Sequence, residues 1–571
     1  MGMQMKKTVL SVLIFAGACL FAQEPATVEK PAAPAILPAD KAKAMSCFHA
    51  RRDLLTQKVS LVKLNFVSKL FAGEETDMPD SVAEAFVEWA KELESLKTDP
   101  GIPPSEEVLK KFLAPPAPGL AEDVYWSNID ASGQPFYRFL PSSWRPEMQK
   151  RPPLIVFLHG YSPNLNLLNW ASFPSALTNV AERLQAAVAM PFARGNTDFQ
   201  GIGEQDVFRV IEEMESRCGT DPDRVVLVGY SMGGMGALTI ARRFPERFAG
   251  VLVLSGRGDY YDWQRTSPEK LPPWEREMVD DLFLRSPEAA RMKGLPVLAY
   301  HGEDDVLNPP SEIMAVDRIM KEVNPEGWRL ALLPNMTHWL AEDALSMPAT
   351  LAWLRAVFAT APRANRPAPQ GRKPGEGPSL LQNALLSHFR VLARTSSRDT
   401  LEPEDEAAMA FLVDWYRYAQ HRAPWWPLGI QLGFQGDFLD DNSVEEFEKR
   451  ENEPETYAKD PALFVFGEPE KCPLLATMLE RHGVRWTADA ITIGGRTFPR
   501  ENTGFWMTFR DANTGQTHVL HCGIPWGKAL PPNHKFDFLP DILVYTPEAG
   551  RLGINVAVAA AKSTPTGVVW Y

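Results

Sequence analysis

One run constrains this chain more than any other: Arg224-Val225-Val226-Leu227-Val228-Gly229-Tyr230-Ser231-Met232-Gly233-Gly234. Its apolar, mostly β-branched residues read as a strand buried on both faces. Gly229, Ser231 and Gly233 then fall in the spacing Gly-x-Ser-x-Gly, and residues 235–244 read as a helix that ends before Pro245. Strand, sharp turn and helix together hold a serine in a strained conformation at the C-terminal edge of a parallel sheet. A glycine two residues either side lets the strand and helix approach closely. The helix N-terminus behind the serine favours developing negative charge. The motif alone is weak, because glycine and serine are common in loops. Unless an acid and a histidine follow, it is an ordinary glycine-rich turn.

At 571 residues the chain is too long for a single core, and two or three domains are expected. With 45% hydrophobic and 23% charged residues it is a globular chain rather than a disordered one. A net charge of −13 and the lack of a basic cluster argue against nucleic acid as a partner.

The N-terminus reads as a targeting segment, residues 1–22. Lys6 and Lys7 precede an apolar stretch, 8–22, whose length suits a signal peptide rather than a membrane span. Cleavage after Ala22 would export the chain to the periplasm or the exterior. Cys19 follows Ala16-Gly17-Ala18, which faintly resembles a lipoprotein signal, so a lipid anchor at the outer surface stays open. No later stretch is long and apolar enough to span a bilayer. Beyond Cys19 stand Cys47, Cys218, Cys472 and Cys522, too few for a disulfide scaffold. A Cys472–Cys522 bridge and free buried thiols are both compatible with the spacing.

In chain order, residues 23–39 form a Pro/Ala-rich tether. Residues 40–119 form a helical pre-domain, with amphipathic helices at 51–70 and 81–96, packed on the core that follows. A contribution from it to a substrate cleft stays open. Residues 120–361 turn β/α. An edge hairpin is expected from 124–128 and 136–140, with Ser132-Gly133 as its turn. Strands at 154–158, 187–190, 250–254, 296–300 and 329–333 alternate with helices at 174–186, 206–217, 310–322 and 348–359. Alternation of this kind gives a mostly parallel sheet with helices on both faces. Residues 362–379 are Pro, Gly and basic residues without periodicity, a linker. Residues 380–571 form a second α/β domain, with helices at 381–395, 404–421 and 472–482 and strands at 463–466, 490–493, 504–509, 517–521 and 542–545. That domain has no Gly-x-Ser-x-Gly. His518 and His521, three apart on a strand, face opposite ways and make a poor metal pair. Trp425-Trp426 and Trp486 could stack on sugars, but burial in a core is the commoner fate of such side chains.

The serine does acquire partners. The strand at 296–300 leads into His301-Gly302-Glu303-Asp304-Asp305-Val306-Leu307-Asn308-Pro309, and an acid just past a strand end is where a histidine-orienting carboxylate is needed. Asp305 is the choice, with Asp304 or Glu303 as fallback. His338 follows the strand at 329–333 through Pro334-Asn335-Met336-Thr337 and would sit at the same sheet edge. A serine hydroxyl is a poor nucleophile until a histidine takes its proton, and a buried carboxylate fixes the tautomer and steadies the imidazolium. The backbone amides of Met232 and of Tyr161, in the turn His159-Gly160-Tyr161, are the expected oxyanion donors. His159 reads as structural.

Residues 123–360 resemble an α/β-hydrolase of the secreted esterase and prolyl-oligopeptidase-like branch. The carriers are Gly203-Glu204-Gln205-Asp206-Val207, Asp221-Pro222-Asp223-Arg224-Val225, Gly229-Tyr230-Ser231-Met232-Gly233-Gly234, and His301-Gly302 with Asp305. These runs look like those of feruloyl esterases, polyhydroxybutyrate-depolymerase-like esterases and bacterial predicted peptidases. The resemblance implies Ser231 as nucleophile, Asp305 as orienter, His338 as base, an acyl-enzyme and no cofactor or metal. The stretch before residue 120 is too short and too helical for the β-propeller of true prolyl oligopeptidases. The C-terminal domain resembles an accessory domain that follows such hydrolases in large bacterial secreted proteins, through residues 463–469, 484–487 and 493–496.

The sequence therefore points to an exported serine carboxylesterase acting on an ester, with a plant or microbial carbohydrate ester as one substrate. A peptidase with the same triad is the alternative, and a surface binding protein on a hydrolase scaffold the second alternative. Specificity would lie in the loops 162–172, 192–200 and 256–278, the last bearing Tyr260, Tyr261, Trp263 and Trp274. Arg257 in that loop could meet a substrate carboxylate or pair with Asp259.

Overall fold

The computed structural model describes residues 37–72, 79–99, 102–360, 371, 373–393, 403–420, 462–527, 535–550 and 554–571, apart from 164, 169, 171, 286 and 513. The expected signal peptide, Cys19, most of the tether, most of the linker and Trp425-Trp426 lie outside the described residues.

The first sheet has eight strands: β1 (Gly119–Ser127), β2 (Ser132–Leu140), β3 (Leu154–Leu158), β4 (Ala187–Pro191), β5 (Val225–Tyr230), β6 (Gly250–Leu254), β7 (Val297–Gly302) and β8 (Trp328–Leu333). They lie in the order β1-β2-β4-β3-β5-β6-β7-β8. β1, β2 and β4 pair antiparallel, and from β4 to β8 every neighbouring pair is parallel. The central strands are apolar on both faces because helices cover both, leaving one core cluster on each side of the sheet. The carboxyl ends of the six parallel strands therefore open onto one edge, where their loops meet.

The hairpin differs from expectation at its turn. Ser132 and Gly133 lie inside β2, opposite Ser127 and Trp126, and the chain reverses before them. Gly133 is demanded instead by a helix: a Cβ there would come within 1.9 Å of the Ala50 carbonyl oxygen. That helix, Pro38–Ala72, is longer than the expected 51–70 and lies across β1 and β2. It is tied there by Gly133 N–H donating to Asp53 Oδ2 at 2.8 Å and by Lys58 pairing with Glu122 at 2.5 Å.

The second sheet has seven strands: β9 (Phe389–Ala393), β10 (Ala462–Phe466), β14 (Gly504–Arg510), β15 (Thr517–Gly523), β16 (Ile542–Ala549), β17 (Asn555–Thr564) and β18 (Gly567–Trp570), in the order β18-β17-β16-β14-β15-β10-β9. Only β9, β10 and β15 run parallel; the other pairs are antiparallel. A small sheet of β11 (Arg485–Trp486), β12 (Ala490–Ile493) and β13 (Arg496–Pro499) packs beside it. The helix expected over 381–395 is a short helix, Leu380–Leu385, followed by β9. Parallel pairing with β10 decides that segment, where local pattern fits either state. Cys472 and Cys522 are both buried free thiols.

The two domains meet through buried polar groups. Arg194, fully enclosed, donates to the carboxylates of Asp130 and Asp206, to Ser127 Oγ and to the carbonyl of Ala419 in the helix Pro403–Gln420. The end of the linker is docked: Gly375 N–H donates to Glu204 Oε1 at 2.6 Å, and Arg243 donates to the Glu376 carbonyl. No helix among the described residues is long and apolar enough to cross a membrane.

Candidate active site

Ser231 stands between β5 and the helix Met232–Arg243, with φ 55° and ψ −114°. A non-glycine residue in that region stores roughly 1–3 kcal/mol of strain, sustained only where the surroundings over-determine it. Here they do. Ser231 N–H donates to the Leu254 carbonyl at 2.9 Å, stitching the turn to β6. A Cβ on Gly229 would lie 2.0 Å from the Gly233 carbonyl oxygen, and one on Gly233 would lie 2.0 Å from that of Leu158. Both glycines of the motif are thus required by backbone contact between the helix, β5 and β3.

His338 Nε2 is 2.9 Å from Ser231 Oγ, and His338 Nδ1 is 2.8 Å from Asp305 Oδ2. The loops after β5, β7 and β8 are what bring the three together. Glu303 N–H donates to the Leu333 carbonyl and Asp304 N–H to the Met336 carbonyl, each at 3.0 Å, which fastens the acid loop to the histidine loop. A Cβ on Gly302 would meet the Met336 carbonyl oxygen at 2.2 Å, so that fastening needs glycine. Asp305 is 2% exposed, while Glu303 and Asp304 point to solvent. The two fallback acids are therefore far less suited to orienting a buried imidazole.

Asp305 is itself held. Its Oδ1 accepts from the amides of Leu307 at 3.0 Å and Asn308 at 2.8 Å. Asn308, also buried, makes three further bonds. Its Nδ2 donates to the Ser255 carbonyl at 2.7 Å, its Oδ1 accepts from Arg257 Nη1 at 3.2 Å, and its carbonyl accepts from His301 Nε2 at 2.8 Å. Ser255 Oγ then donates to the His338 carbonyl at 3.0 Å, closing a ring of bonds around the histidine and the acid. Burial lowers the pKa of His301, keeping it neutral beside Asp305. Sequence reasoning assigned no role to Asn308 or Ser255. The Asn308-Pro309 pair was the available sign, since Asn-Pro opens turns. Arg257 does not pair with Asp259, whose carboxylate takes Arg285 at 2.6 Å; it stacks on Trp263 at 4.2 Å.

As first residue of its helix, Met232 has an amide with no intrahelical acceptor. The turn His159-Gly160-Tyr161 lies against the serine: a Cβ on Gly160 would sit 3.5 Å from Ser231 Cβ. His159 is buried with its ring nitrogens at the carbonyls of Gly160 and Phe192, 3.0 and 3.2 Å away. Asn196 grips the next residue on both sides, accepting from Ser162 N–H at 3.2 Å and donating to its carbonyl at 2.7 Å. No sequence signal marked Asn196.

Large apolar side chains are exposed beside the triad. Val306 is 85% exposed and Trp339 73%, and Leu307 and Tyr161 are exposed too. Each is within two residues of a triad member or on the turn beside Ser231. Among the described residues, no cluster of three or more His, Cys, Asp or Glu could hold a metal ion. Chemically, the set can make a nucleophile of Ser231 and take up its proton on His338.

Residues 193–360 match the model of the prolyl oligopeptidase family. A protein of Nocardia uniformis subsp. tsuyamanensis described as an esterase, NocK, is 28% identical over 187 residues, 30% of this chain and 46% of that one. A pimeloyl-[acyl-carrier protein] methyl ester esterase of Sodalis glossinidius (strain morsitans) is 30% identical over 198 residues, 34% of this chain and 71% of that one. An S-formylglutathione hydrolase structure from Agrobacterium tumefaciens is 17% identical, with a TM-score of 0.33 over 42% of this chain and 95% of that one. The chain thus spans about half the length of the first of these relatives.

Proposed function

The chain belongs to the α/β-hydrolase superfamily of serine hydrolases, and on that premise we propose that it is an exported carboxylesterase with Ser231, His338 and Asp305 as its catalytic triad. The observation that carries the reading is the unbroken relay from Ser231 Oγ through His338 to Asp305, at 2.9 and 2.8 Å. His338 takes the hydroxyl proton as Ser231 attacks the ester carbonyl. Asp305 holds the imidazole with Nε2 turned to the serine and steadies its charge. The amides of Met232 and Tyr161 receive the developing oxyanion, each such donor contributing roughly 3 kcal/mol. The protonated His338 then gives its proton to the departing alcohol, leaving an acyl-serine that water releases by the reverse sequence.

Ester rather than peptide is favoured by the exposed apolar side chains of Val306, Leu307, Trp339 and Tyr161 beside the triad, and by the esterase names of the two curated relatives above. The second reading, a peptidase, is supported by the prolyl oligopeptidase family model. Export rests on the basic and apolar residues 1–22.

The first test is labelling with a fluorophosphonate probe followed by peptide mapping, on the parent and on Ser231→Ala. Labelling confined to Ser231, with p-nitrophenyl butyrate cleaved faster than prolyl and aminoacyl nitroanilides, is the expected result. Faster nitroanilide cleavage would transfer the enzyme to the peptidase reading. Export is tested by fractionating the native host and sequencing the mature N-terminus, where Gln23 is expected first.

A further inference from the structure

Between the loop that follows β6 and the second sheet lies a cavity of about 310 Å³ with walls from both domains. That volume is at the lower end of the roughly 300–1,000 Å³ of small-ligand sites. Tyr260, Trp263, Trp274 and Phe283 come from the hydrolase side, and Trp526 and Phe538 from the C-terminal side. Six aromatic residues in one small cavity is a strong concentration for a chain that is 10% aromatic. Trp263 and Trp274 are only half-buried, so part of each ring surface stays available.

The polar groups between the rings are amides and carboxylates. Gln200, Gln264 and Asn555 bring amides, and Asp198, Glu275 and Asp537 bring carboxylates; no described lining residue is cationic. Gln200 Nε2 is buried with no hydrogen-bond partner among the described residues. A buried donor left unpaired carries a desolvation penalty that an incoming acceptor relieves.

The cavity is connected to the triad through a chain of contacts. Its Trp263 stacks on Arg257, Arg257 donates to Asn308, and Asn308 donates to Asp305. Tyr260 and Phe283 pack with Met235, one turn along the helix that Ser231 opens. Phe538 enters from the other domain, its ring 5.6 Å from that of Tyr260, and holds a positive φ of 55°. An ordinary residue in that conformation signals a position fixed by its neighbours.

We propose that this interdomain cavity binds a neutral sugar residue, the carbohydrate part of the ester substrate or of the polymer that carries it. Aromatic faces stack on the C–H face of a pyranose ring, while amides and carboxylates take its hydroxyls. Among the described lining residues none is cationic, and that set disfavours phosphates, sulfates and uronates. The C-terminal domain then has a role in recognition, as one wall of a subsite. The cavity's affinity for sugar stands apart from the triad chemistry; only the word ester rests on the function proposed above.

The test is calorimetric titration of the full chain carrying Ser231→Ala with xylohexaose, cellohexaose and mannohexaose, and with tetramethylammonium and a lysine-rich peptide as cationic competitors. Saturable binding of at least one hexasaccharide is expected, weakened by about tenfold or more in Trp263→Ala. Gln264→Ala, a milder change, is expected to weaken it too, which keeps the test meaningful if the tryptophan variant fails to fold. Binding of the cations alone, binding of no hexasaccharide, or saccharide binding untouched in both folded variants overturns the proposal. If the parent hydrolyses p-nitrophenyl butyrate yet binds no saccharide, the cavity assignment falls and the esterase reading stands. If it binds saccharide without hydrolysing any ester, the reverse holds.

Discussion

The two sheets use similar material and reach different ends. In the first, six neighbouring strands run parallel, so the loops after β3, β4, β5, β6, β7 and β8 converge at one edge. Tyr161, Asn196, Ser231, Ser255, Asp305 and His338 all stand in or just past those loops. In the second, most pairs are antiparallel and successive loops alternate between edges. Its histidines go inward instead. His518 meets Gln516 at 3.0 Å and packs against Phe509; His521 meets the Tyr545 hydroxyl at 2.7 Å among Phe466 and Trp506. Strand direction decides whether polar side chains collect into a site or are spent separately in a core. A domain without such an edge still contributes by shape, as the cavity wall does.

Substitutions can press on this contrast. The largest expected effect is at the convergent edge: Ser231→Ala should lower kcat for p-nitrophenyl butyrate by roughly 10⁴–10⁶-fold with an unchanged circular dichroism spectrum. Asp305→Asn should cost about 10³–10⁴-fold, whereas Asp304→Asn should stay close to the parent. Equal losses for the two acids would mean that burial does not select the orienter. Asn308→Ala should lower kcat roughly 10–100-fold while leaving KM nearly unchanged, since it only aims the acid.

The second sheet is expected to answer to acid rather than to active-site substitution. Burial lowers the pKa of His518 from 6.5 to about 4 and that of His521 from 6.5 to about 3. Both are neutral when folded and gain a proton more readily when unfolded. Their contribution is therefore complete above pH 6.5 and lost as the pH falls toward those lower values. Near pH 4.5 the loss should be roughly 2–3 kcal/mol for each, read as a falling denaturant midpoint. His521→Phe should reduce that acid sensitivity; an unchanged pH profile would show that the imidazole is not buried neutral.

Much of the first domain was legible because its signals are local. The strand before Ser231, the glycines beside it and the acid loop after β7 each announce themselves within a dozen residues. Asn308 and Asn196 were not legible as supports, since their value lies in partners from other loops, Ser255, Arg257 and Ser162. Gly133 was misread for a related reason. A glycine suggests a turn from sequence alone, and only the arrival of Ala50 explains it otherwise. The segment 389–393 carries β-compatible and helix-compatible residues alike, so the strand exists because β10 is beside it. The interdomain cavity is half visible in the sequence: the aromatic loop 256–278 stands out, but nothing in the sequence pairs it with Trp526 and Phe538.

Arg194 has a consequence for how the chain can be handled. Its guanidinium is solvated, in effect, by both domains at once, with the Ala419 carbonyl completing what Asp130, Asp206 and Ser127 begin. Parting the domains would leave that charge short of a ligand until water reached it. The peptide connection through residues 361–370 is then redundant for cohesion. A chain nicked there should elute as a single species in native buffer and yield two fragments only in denaturant. Extra residues inserted at that point should leave the geometry of the catalytic edge, and of the cavity beside it, as they were.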